Sequence, residues 1–411
     1  MQKSYSWFAI LFILITSVST RLCFSEIGIQ PRVVNVINYD AFGYYWFLPA
    51  IFIYEDVKEL QWLPEKEKQY TLSGDGKLYQ FVTLPQGGYT GKYLCGVAIL
   101  QAPFCALGHC YAKINNYPSD GFSPPYHWAL VAASIFYGIL GLVLIRKLLS
   151  PDFSDTTIAM VLLLMSIGSN WLQYIAIENA MSHAYIFPLY AAVLLATKKW
   201  HETPTLSLAF GIGLIIGIAT ISRPTEIIML FIPLLWDTFD SASRQKKSTL
   251  LQKKPLLIAS ILLGGVIGIL PQLVYWKYST GSWIFSVGSK WFFLNPFFRV
   301  LFGTELGWFI YTPISILFII SLLYLKKHRT QNALWVFIFL NIWIVIAWSD
   351  WKYGATFSCR ALVQSYPVFA IPLALLLSQW KESKYKIVLP FLYLLIPINL
   401  YLVWKYNTTG L

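Results

Sequence analysis

Asn38-Tyr39-Asp40-Ala41-Phe42-Gly43-Tyr44-Tyr45-Trp46-Phe47-Leu48-Pro49-Ala50 follows the first apolar segment of a chain that otherwise reads as membrane. Packing alone gives no reason for an acid just beyond a first span, followed by a run of aromatics and Leu-Pro. A carboxylate held at the lip of a bilayer explains it. Apolar runs near the bilayer-crossing length of about 20 residues recur along most of the chain. Of the 411 residues, 57% are hydrophobic and only 12% charged. Strands of a membrane barrel would alternate rather than run apolar. The expected fold is an all-α polytopic membrane protein forming a single domain over 1–411.

The first span is expected at 6–24, as an uncleaved anchor. Others are expected at 126–146, 157–175, 183–197, 205–221, 224–239, 255–276, 307–325, 332–349, 360–379 and 386–404, giving about eleven. The net charge of +12 does not point to nucleic acid, because the basic residues sit in short loops. Lys3, Arg146-Lys147, Lys198-Lys199, the run from Arg244 to Lys254, Lys326 to Arg329 and Lys381 to Lys386 fall on one side. That side is cytoplasmic by the positive-inside rule. The N-terminus is then cytoplasmic and the C-terminus extracytoplasmic, with no soluble C-terminal domain. Residues 91–113 are apolar enough to span but would invert every later loop. They read as a helix at the interface, and about twelve spans is the alternative. The first extracytoplasmic loop is therefore long, 25–125. Five scattered cysteines form no Cys-x-x-Cys pair, so neither a zinc site nor a disulfide framework is indicated.

Every residue that could carry chemistry falls on the outer side. Asp40 is placed to take a proton as general base; the alternative is a loop acid capping a helix from Ala41. Tyr44 and Tyr45 suit sugar stacking or anchoring at the interface. Asp120 lies in Pro118-Ser119-Asp120-Gly121-Phe122, where a turn role competes with substrate binding. Glu178 and His183 flank a short turn, and such groups near a bilayer are costly unless used or paired. Arg223, in Ser222-Arg223-Pro224-Thr225, and Arg360, in Trp351-Lys352-Tyr353-Gly354-Ala355-Thr356-Phe357-Ser358-Cys359-Arg360, violate the charge bias seen elsewhere. A guanidinium fork matches phosphate oxygens, with snorkelling to lipid heads as the alternative. Asp350 and Lys352 complete the set, and Lys290 and Arg299 are weaker candidates. No phosphate-loop glycine pattern appears, so a cytosolic nucleotide is not the energy source. A lipid-linked phosphate donor fits: its tail enters from membrane lipid, its phosphate meets arginine and its head group meets the acid. No cofactor is required and no metal spacing is seen, although a divalent ion stays open.

These residues resemble the GT-C superfamily of membrane glycosyltransferases, and the layout is similar to aminoarabinose transferases and protein O-mannosyltransferases. The carrying motifs are Tyr39-Asp40-x-x-Gly43-Tyr44-Tyr45-x-x-Leu48-Pro49-Ala50, Asp120-Gly121-Phe122-Ser123-x-Pro125-Tyr126, Arg223-Pro224-Thr225, Gly307-Trp308-x-x-Tyr311-Thr312-Pro313 and Trp351-x-Tyr353-Gly354-x-x-Phe357-x-x-Arg360. The resemblance implies a catalytic acid in the first outer loop, matched by Asp40, and interfacial helices, one matched by 91–113. It implies an inverting transfer from a polyprenyl-phosphate-linked sugar donor at the outer face of a bacterial inner membrane, to an extracytoplasmic glycan, lipid or protein acceptor. Two departures stand out: no second acid adjoins Asp40, and the soluble C-terminal domain of some members is missing. A transporter or flippase of lipid-linked sugars is the alternative, although transporters commonly carry repeats and none is found here.

Overall fold

The structure, a computed structural model, describes residues 4–27, 35–85, 87–305, 307–354, 356–379 and 382–409; the side chains of 382–389, 391 and 392 are not described. Lys3, residues 28–34 of the first loop, Leu306, Ala355 and Lys381, all used in the sequence reading, lie outside it. The chain is 70% helical and 2% strand. Five helices are long and apolar enough to cross a bilayer: Tyr5–Ser25, Gly96–Ile114, Pro124–Leu149, Pro255–Thr280 and Arg360–Ser378. Shorter apolar helices include Asp155–Ser166, Leu206–Thr220 and Gln331–Ala347. Within Tyr5–Ser25 and Pro255–Thr280 less than a third of the apolar window is buried. Phe8, Phe12, Leu22, Leu262 and Val266 all point outward. Such faces are unfavourable in water and natural against lipid, so this is an integral membrane protein.

Two sequence devices organise the helices. Gly213 and Gly217 on Leu206–Thr220 face Gly264 and Gly268 on Pro255–Thr280. A Cβ on Gly213 would stand 1.9 Å from the carbonyl oxygen of Ile261, and one on Gly264 2.1 Å from that of Phe210. Spacing of small residues by four lets backbones touch, the usual source of packing energy where lipid replaces water. By contrast, Arg360–Ser378 is the central element, 89% buried. Its first turns, Arg360–Phe369, are wound as a tight 3-10 helix.

Several expected spans are broken rather than continuous. The 224–239 segment is a 3-10 turn, Pro224–Leu230, followed by a short helix, Phe231–Leu235. The 157–175 segment stops as a helix at Ser166 and resumes as a π-helical turn at Gln173–Ile177. Residues 96–114, expected to lie at the interface, form one continuous helix containing Pro103.

The long first loop has its own apolar core. Phe42, Tyr45, Trp46 and Phe47 pack with Trp62, Phe81, Phe122 and Tyr126. Two strands, β1 (Phe81–Thr83) and β2 (Tyr89–Gly91), pair antiparallel within it. This small body is the platform that carries Asp40.

Candidate active site

Asp40 lies in the first turn of the short helix Tyr39–Tyr45, behind an extended Asn38. The entry is anchored by Tyr39. Its N–H donates to Leu72 O (3.1 Å) and its hydroxyl to Gly74 O (3.0 Å). Gln80 Nε2 donates to its carbonyl (3.0 Å). Gly74 sits under the Tyr39 ring at φ +85°, where a Cβ would fall 2.3 Å from the ring. The Gly74-Asp75-Gly76 turn thus serves to aim Asp40.

Asp40 is enclosed by three donors from distant parts of the chain. Arg360 Nη2 donates to Oδ2 at 2.6 Å, an ion pair whose side chains are 10% and 19% exposed. The hydroxyls of Tyr93 (2.5 Å) and Tyr79 (2.7 Å) both donate to Oδ1. Burial pushes the carboxyl upward, but the Arg360 charge and the hydrogen bonds from Tyr93, Tyr79 and Arg360 outweigh it and hold it at about 2. Burial, joined by the Asp40 charge, moves the Tyr79 and Tyr93 hydroxyls upward, so both remain donors at neutral pH.

Gly43, one turn after Asp40, makes room for this arrangement: a Cβ there would lie 2.3 Å from the Tyr93 ring. Tyr93 also meets Tyr44 edge-on, with centroids 4.8 Å apart. Gly43→Ala is therefore expected to displace Tyr93, strip one donor from Asp40 and lower activity by roughly the tenfold that one such hydrogen bond is worth. Tyr93→Phe at an unchanged Gly43 should reproduce the loss; full activity in both variants would show that the Tyr93 bond is idle.

Asp40 and Arg360 open onto a cavity of about 470 Å³ lined also by Tyr79, Lys92, Tyr93, Glu178, Asn179 and Asp350. The structure thus brings together Asp40, Arg360, Glu178 and Asp350. Glu178 Oε1 accepts from Gln173 Nε2 at 3.0 Å. Arg223 does not line the cavity, but its charge acts on Tyr44, His183 and Glu226 just behind it. No ion pair or side-chain hydrogen bond engages its guanidinium among the described residues.

Of the expected substrate-binding residues, Arg223, Tyr44, Tyr45, His183, Asp120 and Lys352 do not line it. Asp120 is committed to a turn, accepting from Phe122 N–H (3.0 Å), Ser123 N–H (3.1 Å) and the Tyr70 hydroxyl (2.6 Å). Tyr45 donates to Gly121 O (2.8 Å) inside the loop core. Lys352 pairs with Glu305 at 3.0 Å and covers the Trp351 ring.

Behind the cavity runs a buried polar chain that the sequence reading missed in part. His183 Nδ1 meets Gln364 Oε1 at 2.7 Å, and Gln364 Nε2 donates to Glu226 Oε1 at 3.2 Å. The Tyr190 hydroxyl donates to Glu226 Oε2. Gln364 lies one turn beyond Arg360, so this chain braces the base of the Arg360 segment. An acid within an apolar run was the available signal for Glu226. Tyr79, Tyr93 and Gln364 carry no such signal.

Among the described residues no group of three or more His, Cys, Asp or Glu is placed to hold a metal ion.

No protein-family profile matches the chain, and no curated protein matches it. Solved structures do. The archaeal oligosaccharyltransferase AglB from Archaeoglobus fulgidus, in complex with an inhibitory peptide and a dolichol-phosphate, superposes with a TM-score of 0.56 at 13% identity, covering 98% of this chain and 55% of that one. The Archaeoglobus fulgidus oligosaccharyltransferase tethered to an acceptor peptide gives 0.56 at 14% identity, over 100% and 56%. The complex of that enzyme with Zn and sulfate gives 0.53 at 15% identity, over 98% and 52%. The chain spans about half the length of these proteins. At such identities the likeness concerns the fold alone, which this chain shares with these oligosaccharyltransferases.

Proposed function

We propose that this protein is an integral membrane glycosyltransferase that moves a sugar from a polyprenyl-phosphate carrier to an extracytoplasmic acceptor, with inversion at the anomeric carbon. The observation that carries the reading is the buried Asp40–Arg360 pair at the mouth of a cavity with further cations nearby. The fold shared with oligosaccharyltransferases, one of them bound to dolichol-phosphate, supports it.

With Arg360 bound and two tyrosines donating, Asp40 is a weak base. Its basicity is released by the donor. The carrier phosphate and Asp40 compete for the same guanidinium; when Arg360 turns to phosphate, Asp40 keeps its burial and loses its cation, so its proton affinity rises. Asp40 then takes the proton of the acceptor hydroxyl or amine. The acceptor atom bonds to the anomeric carbon, and the carbon–oxygen bond to the carrier phosphate breaks with its electron pair on the phosphate. Arg360, with Arg223 behind it, stabilises the charge that develops there. Glu178, His183 and Asp350 shape the sugar end, and Tyr44 supports the Asp40 helix.

The test is to incubate the purified protein with polyprenyl-phosphate sugars and follow the released carrier phosphate. A flippase would translocate the donor and release none. The pH profiles give a second check. In the free enzyme Asp40 stays ionised to about 2, so kcat/KM should show no acid limb from it above that range. In the donor complex its affinity for protons is higher, so the acid limb of kcat should lie at higher pH. The donor phosphodiester remains ionised across this window. Coincident limbs for kcat and kcat/KM would overturn the exchange of Arg360.

A further inference from the structure

A second cavity, about 840 Å³, lies between helices Tyr5–Ile27 and Pro124–Leu149. These helices run antiparallel. At one end Arg146 Nε donates to Ser6 Oγ (2.7 Å) and covers Trp7; at the other, Arg21 faces His127. The groove wall is apolar along Leu14, Val18, Val131, Ile135 and Ile139, and its polar lining residues, Arg21, Ser25 and His127, gather at the second end. Leu22, Trp128 and Phe136 on its rim are more than half exposed, so the groove opens sideways toward lipid. The volume falls within the range of about 300–1,000 Å³ usual for small-molecule sites.

The polar end backs onto the Asp40 cavity through two shared walls. Val36, which lines that cavity, donates its N–H to His127 Nδ1 at 3.2 Å. Arg21 Nη1 donates to Ile177 O at 3.2 Å, and the next residue, Glu178, lines the cavity. Arg21 has no carboxylate partner among the described residues, which leaves most of its planar fork open. A cation at one end of a hydrocarbon-lined groove, one wall from the candidate base, selects an amphiphile with an anionic head.

We propose that this groove seats the acceptor, a lipid whose head carries a phosphate and a free hydroxyl. The proposal rests on the glycosyltransferase reading and names its acceptor class. The phosphate pairs with Arg21, the acyl chain lies along Val18, Val131 and Ile135, and the hydroxyl reaches past Val36 toward Asp40. That hydroxyl oxygen bonds to the anomeric carbon, its proton passes to Asp40, and the carrier phosphate leaves with the bonding pair.

Phosphatidylglycerol has both head groups and serves as the probe. The full chain is placed in phosphatidylcholine vesicles with or without phosphatidylglycerol, each lipid in turn bearing a photoreactive acyl chain, together with a sugar-labelled polyprenyl-phosphate donor. Phosphatidylglycerol should label peptides of 5–27 and 124–149 in preference to phosphatidylcholine and should acquire the sugar. Arg21→Gln should lower both signals by about tenfold, as expected for losing a charged hydrogen bond. Ala132→Trp, at an exposed position in the groove, should do so by filling it. Equal labelling by the two lipids, a labelled but unglycosylated phosphatidylglycerol, or full transfer in both variants overturns the proposal. Absence of donor cleavage in every vesicle overturns the glycosyltransferase reading itself, and the acceptor assignment with it.

Discussion

Asp40→Asn is expected to lower the transfer rate by roughly 10²- to 10⁴-fold, the usual contribution of a positioned general base. Asparagine keeps the shape and can still accept from Tyr79 and Tyr93, so the variant should fold and keep its cavity. Its second effect is more specific. Removing the carboxylate frees Arg360, which no longer exchanges an ion pair for the donor phosphate. KM for the donor should therefore fall while kcat collapses, a combination that marks lost ground-state competition. Steady-state kinetics on polyprenyl-phosphate sugars reads both numbers. Full transfer activity in a folded Asp40→Asn protein would remove Asp40 from the base role. A kcat loss with a raised KM would instead show that Asp40 binds substrate.

The fold and part of the candidate site were legible for one reason: charge is expensive near a membrane and stands out against apolar sequence. Asp40, Glu178, Asp350 and Arg360 met that test and do converge on one cavity. Glu226 met it too and was overlooked. The pairing was not legible, because Asp40 and Arg360 are 320 positions apart and nothing local links them. Tyr79 and Tyr93 were hidden differently. In a chain with 26 tyrosines, two hydroxyls aimed at a carboxylate look like any other aromatic. Asp120 and Tyr45 lie apart from that cavity: Asp120 takes the turn role that competed with substrate binding, and Tyr45 bonds within the loop core. Continuity of spans failed at Pro224 and at Gly168, since hydropathy sums apolar character and is blind to where a helix ladder is interrupted.

Arg360→Gln separates the structural from the chemical use of the pair. Deleting one partner of a buried ion pair leaves the other charge uncompensated, a loss of about 3–5 kcal/mol in comparable cases. Asp40 is still ionised at neutral pH in the native protein because its carboxyl is held at about 2. A depressed carboxyl contributes stability that is complete above the ordinary carboxylate range and is lost as pH falls through its native value. Wild type should thus lose this contribution only between about pH 4 and pH 2, whereas Arg360→Gln should lack it at neutral pH and change less on acidification. The double variant Asp40→Asn with Arg360→Gln removes both charges and leaves two amides able to bond each other. It should recover most of the thermal stability and none of the transfer. Stability and activity then part company: the pair is energetically replaceable and chemically not. If the double variant recovered transfer along with stability, the pair would be a structural clasp and the chemistry would lie elsewhere in the cavity. If it recovered neither, Arg360 would have a structural role beyond Asp40, and the polar chain through Gln364, Glu226 and Tyr190 that braces its segment is where that role would be sought.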